Sequence, residues 1–91
     1  MSSATTTITL INKVGLHTRP AVKFVQTAAH FSSTITVVCQ TRQANAKSML
    51  QVMKLGAGGG AEISIHAEGD DAEEAITALT QLVAEKFGET E

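Results

Sequence analysis

The sequence shows no excess of positive charge: seven Lys and Arg stand against nine Asp and Glu, a formal net charge of −2. A nucleic-acid binder needs a basic stripe or patch, so no nucleic-acid partner is expected. The opening MSSATTTITL lacks both a basic n-region and a continuous apolar stretch, and nothing in the chain approaches the ~20 apolar residues needed to span a bilayer. An unexported, cytoplasmic chain without membrane insertion is the expectation. Cys39 is the only cysteine, which rules out an intramolecular disulfide, and its setting in TVVCQT is that of a small buried hydrophobe in a reducing compartment. Metal-ligand spacing is missing too: His30 and His66 lie far from His17 in sequence and the cysteine has no second thiol, so neither a metal nor a cofactor is expected. No internal repeat is visible. At 91 residues the chain is read as one domain, 1–91, built on a single core.

What is present is regular patterning. Residues 5–11, TTTITLI, alternate as a strand does. From Ala21, the apolar positions Ala21, Phe24, Val25, Ala28 and Ala29 make the stripe of an amphipathic helix that ends near His30. Residues 33–40 predict a second strand with Ile35, Val37 and Cys39 on one face, and 41–46 a short third strand forming a hairpin with it. Ser48 can cap a short helix that Gly56 terminates. Residues 61–68 alternate Ala61, Ile63, Ile65 and Ala67 against Glu62, Ser64, His66 and Glu68, a strand with one wet face. Asp70 or Asp71 then caps a last helix with Ala75, Ile76, Leu79, Leu82, Val83 and Phe87 inward, before a frayed acidic tail, GETE. The order βαββαβα, with alternating strands, predicts an α+β two-layer sandwich, helices gathered on one side of an antiparallel sheet.

Chemistry concentrates in GLHTRPA, residues 15–21. The only proline, Pro20, belongs in a helix's first turn, so His17, Thr18 and Arg19 lie at or just before the helix start. A histidine there lies beside backbone N–H groups that would stabilise a phosphoryl group carried on its ring, and Arg19 adds a planar fork of donors for phosphate oxygens. Gly15 allows the tight turn that leaves the ring exposed. The residues alone leave a second reading open, in which His17 only caps the helix and Arg19 is a solvated charge. His30 reads as a helix C-terminal residue and His66 as an outward strand position.

The glycine run 56–60 lacks the lysine and hydroxyl of a P-loop and precedes a strand, so it reads as a flexible turn. Ser48 is a helix cap and also a candidate phosphorylation site. In the short helix Met49, Leu50, Val52, Met53 and Leu55 cover more than half the circumference. Either some of them face water as a docking surface, together with Val22, or a small domain buries an unusually wide face.

Three segments, GLHTRPA (15–21), NAKSMLQVMKLG (45–56) and GAEISIHAEGDD (60–71), resemble in order and spacing the HPr family, the histidine-containing phosphocarriers of the bacterial phosphoenolpyruvate-dependent sugar phosphotransferase system. The resemblance covers residues 5–87. It implies an open-faced sandwich of three helices on a four-stranded antiparallel sheet in the order 1-4-2-3. It also implies a monomeric carrier, not a stand-alone catalyst, phosphorylated on Nδ1 of His17 by enzyme I and discharged to enzyme IIA domains of sugar permeases. Arg19 would assist transfer, and Thr18, Val22, Met49, Leu50 and Met53 would form the docking surface. Ser48 matches a serine that a dedicated kinase/phosphorylase modifies in many members, with a transcriptional regulator as a further partner. A paralogue serving a regulatory, nitrogen-related branch and a binding module that signals without carrying phosphate are the alternatives of different class.

Overall fold

A computed structural model describes residues 2–88 of the chain. In chain order the elements are β1 (Ser3–Thr9), α1 (Thr18–Ala29), β2 (Thr34–Cys39), β3 (Arg42–Asn45), α2 (Met49–Lys54), β4 (Glu62–Glu68) and α3 (Ala72–Ala84), followed by a short 3-10 turn, Lys86–Gly88. The sheet order is β1-β4-β2-β3, and every neighbouring pair is antiparallel. Period-two alternation explains the layering. One row across the sheet runs Thr6, Ile65, Val37, Ala44, and its members from β4, β2 and β3 are buried. The adjacent row, Thr5, His66, Thr36 and Asn45, is polar. Three helices cover the apolar face: Phe24 and Ala28 from α1, Val52 from α2 and Leu79 and Val83 from α3 join Ile35, Val37, Ile63 and Ile65 in one core. Cys39 is buried and free, as its neighbours predict.

Several boundaries move. The first strand occupies 3–9 instead of 5–11, because β4 reaches far enough for Ser3 and Ala4 to pair with Glu68 and Ala67. Leu10 stays buried, whereas Ile11 leaves the sheet and is 52% exposed. Ala29 lies at the last turn of α1, outside the buried stripe. Phe87 is core, but not as part of α3: that helix ends at Ala84, and Phe87 enters the core from the 3-10 turn with φ 56°. The Lys23 ammonium donates to the Phe87 carbonyl and ties that turn to α1. Of the acidic tail, residues 89–91 lie outside the described residues.

Asp71 is the N-cap of α3 by position, yet its side chain makes no capping bond. It accepts instead from the Ser32 and Ser33 amides at 2.8 and 3.0 Å and from both serine hydroxyls, bracing the turn between α1 and β2. The Ser33 hydroxyl first, then the Ser32 amide, lowers this carboxyl from 3.8 to about 2. A group whose folded pKa is depressed stabilises the fold above its unfolded value and loses that contribution as pH falls towards the folded value. Asp71→Asn is therefore expected to reduce stability at neutral pH and to converge with the parent as pH falls from about 4 to about 2. Urea melts at intervals across that range check it, and a constant gap between the two proteins would contradict it.

Candidate functional site

The segment joining β1 to α1 is held by backbone bonds to the glycine-rich stretch before β4. Leu10 N–H donates to the Ala61 carbonyl at 2.8 Å, Gly60 N–H to the Leu10 carbonyl at 2.8 Å, and Leu16 N–H to the Ala57 carbonyl at 2.8 Å. These loops touch backbone to backbone. Gly15, at φ +63°, has its α-carbon against Gly58 and the Ala57 carbonyl, and Gly59 lies equally close to the Lys13 and Asn12 carbonyls; a methyl group at either position would overlap these atoms. The glycine run is thus the seat of the preceding loop, which corrects its reading as a flexible turn.

Anchoring on both sides leaves three residues at the surface. Leu16 is buried before them and Pro20 and Ala21 after them, while His17, Thr18 and Arg19 are exposed. His17 is the N-cap of α1: its backbone is extended, at φ −72° and ψ 178°, and its carbonyl accepts the first helical bond from Ala21 at 2.8 Å. Its side chain makes no capping hydrogen bond. The backbone thus does the capping, and the imidazole contributes no capping bond. Thr18 and Arg19 open the helix, where α-helical geometry supplies no acceptor for the first N–H groups and the dipole favours an anion. A neutral imidazole in that position is a nucleophile beside an anion-favouring helix end.

Helix α2 packs against α1. Ser48 is its N-cap, the hydroxyl accepting from Gln51 N–H at 3.3 Å, and Gly56 follows it at φ +66°, both as predicted. The crowding of apolar residues resolves as outward display: Val52 and Leu55 are buried and Met49 is half-buried, whereas Leu50 is 66% and Met53 37% exposed. Val22 on α1 is also 37% exposed. Two further exposed apolar residues, Ile11 and Val14, occupy the loop before His17 and were not singled out from the sequence. His30 is the C-cap of α1, and His66 faces solvent on β4, 3.7 Å from Glu68. Among the described residues no cluster of three or more His, Cys, Asp or Glu could hold a metal ion, and no helix is long and apolar enough to cross a membrane.

Fold and site together define a small α+β protein that presents a histidine at a helix N-terminus and displays apolar side chains from two packed helices. A family model described as the PTS HPr component phosphorylation site matches residues 4–85. Similar proteins include the phosphocarrier protein HPr of Cupriavidus necator, 43% identical over 91% of this chain and 93% of that one, and that of Treponema pallidum, 41% identical over 91% and 94%. The crystal structure of an HPr from Thermoanaerobacter tengcongensis superposes with a TM-score of 0.94 at 50% identity, covering 97% of this chain and 99% of that one. A structure of an HPr dimer from the same organism superposes at 0.77 with 52% identity over 90% and 94%. The chain belongs to the HPr family of phosphocarrier proteins of the phosphotransferase system, which are carriers and not stand-alone enzymes.

Proposed function

We propose that this phosphocarrier accepts its phosphoryl group on Nδ1 of His17 from phospho-enzyme I and hands it to enzyme IIA domains of sugar permeases in the cytoplasm. The observation that carries the reading is the exposed imidazole at the N-cap of α1 that makes no capping bond. In the transfer the Nδ1 lone pair attacks phosphorus, a new N–P bond forms, and the donor's bond to phosphorus breaks with its electron pair returning to the donor. The proton on the other ring nitrogen stays in place. The first-turn N–H groups and the Arg19 fork meet the oxygens of the transferred group. A single copy of the chain holds every residue this reading uses. Incubating the protein with enzyme I and phosphoenolpyruvate tests it: acid-labile phosphate on the chain supports the reading, and its absence overturns it.

Thr18, Val22, Met49, Leu50 and Met53 form the surface on which successive partners dock, the methionines adapting to each. Leu50→Asp is expected to weaken binding to enzyme I about thirtyfold, the scale of a hot-spot loss near 2 kcal/mol. Because Leu50 is 66% exposed, the melting temperature should move little. Calorimetric titration alongside a thermal melt checks both halves, and a collapse in melting temperature would make Leu50 a core residue. Ser48 is the regulatory position in this reading. Phosphorylation by an HPr kinase/phosphorylase would add about −1.5 to −2 charges next to Met49 and Leu50. That charge suits a helix N-terminus, so its effect falls on docking to enzyme I and to a transcriptional regulator more than on the fold.

A further inference from the structure

Asn12 is one of two polar residues buried among the described residues, the other being Ser33. Ser33 is fully engaged by Asp71, but Asn12, only 1% exposed, uses half of its side chain. Its Nδ2 donates to the Gly15 carbonyl at 2.8 Å, while its Oδ1 has no hydrogen-bond partner among the described residues. A buried acceptor left unpaired opposes folding, so stability alone is a poor reason for an asparagine here. The bond that Asn12 does make acts on a particular peptide unit. The Gly15 carbonyl and the Leu16 N–H belong to the same plane: Asn12 holds the oxygen and the Ala57 carbonyl holds the N–H at 2.8 Å. Gripped at both edges, that plane cannot rotate. That plane ends at Leu16, which is itself buried, and the His17 carbonyl after it is held by Ala21 N–H, so the locked plane fixes where the chain enters His17, whose ring has no capping bond to orient it.

We propose that Asn12 is a positioning residue for phosphoryl transfer, aiming the His17 imidazole by locking the Gly15–Leu16 peptide; this rests on His17 being the phosphoryl acceptor. Misplacement of a reacting atom by about an ångström can cost on the order of a hundredfold in rate. Docking uses side chains on α1 and α2, so aim and affinity are separable. The variants Asn12→Asp, which keeps the shape but sets an acceptor against the Gly15 carbonyl, and Asn12→Leu, which removes the donor, are assayed as substrates of enzyme I below their melting temperatures. Both are expected to lose roughly tenfold or more in kcat with KM changed by less than about twofold. Ring signals of His17 in a heteronuclear spectrum should shift in both variants, with those of exposed His66 unmoved as an internal reference. Parent-like kcat in either folded variant overturns the proposal, as does a rise in KM with kcat unchanged or an unshifted His17 ring. Phosphate found on the parent chain away from His17 overturns the underlying reading instead, whatever the variants do.

Discussion

His17→Ala is expected to abolish phosphoenolpyruvate-dependent labelling altogether while leaving the fold in place. No other side chain can take over. His30 caps the far end of α1 and His66 faces solvent from β4, and neither stands at a helix N-terminus with Arg19 two residues on. The fold should survive because the His17 imidazole makes no capping bond and the carbonyl that starts the helix belongs to the backbone. Loss of an N-cap side chain costs ~1 kcal/mol when the side chain does cap, so the expected loss here is below about 1 kcal/mol. For a domain of this size that is a fall of less than roughly 4–8 °C in melting temperature. Radiolabelled phosphoenolpyruvate with enzyme I, followed by acid treatment of the isolated chain, provides the readout. Full acid-labile incorporation in the variant would remove His17 from the relay.

Gly15→Ala should have the largest effect on stability, and for two separable reasons. Its backbone is at φ +63°, where an added Cβ costs about 1 kcal/mol, and that Cβ would overlap backbone atoms of Ala57 and Gly58 that no rotamer change can move. Relieving such overpacking costs a further 1–3 kcal/mol or so. The expected total is about 2–4 kcal/mol, or on the order of 10–30 °C in melting temperature. Transfer at His17 should fall as well, since the same shift displaces the peptide that precedes it. Differential scanning calorimetry decides the matter. A melting temperature within a few degrees of the parent would mean that the two loops separate at little cost.

The elements most readable from the sequence are those whose neighbours repeat at a fixed period. Ile63, Ile65 and Ala67 alternate cleanly and are all buried, and Ala21, Phe24 and Ala28 recur at helical spacing and all face the core. The histidine segment was legible because Pro20 fixes where a helix can begin. Strand order was not legible from pattern at all: nothing local tells Thr6 that its partner is Ile65, and the order came from family resemblance. Asp71 was one of two candidates, with Asp70, for the helix start and was not recognised as a brace, because its real partners, Ser32 and Ser33, are 39 and 38 residues away. The role of Asn12 and of Gly58 and Gly59 was missed for the same reason, since a close approach between two loops leaves no periodicity. One signal was available: an asparagine three residues before a glycine, just after a strand, is turn chemistry, and it marks the turn that Asn12 closes onto Gly15.

The sheet order also sets when the protein can exist during its own synthesis. Ser3 pairs with Glu68, and β1 has no neighbour in the sheet other than β4. A nascent chain therefore emerges with β1 unpaired and holds it so until Glu62–Glu68 have been made, the slow, non-local kind of pairing. The loop carrying His17 waits with it, because Ala57 and Ala61, which grip that loop, also arrive late. The strand before His17 and the loop that carries it thus depend on the same later segment, residues 57–68, for their native setting.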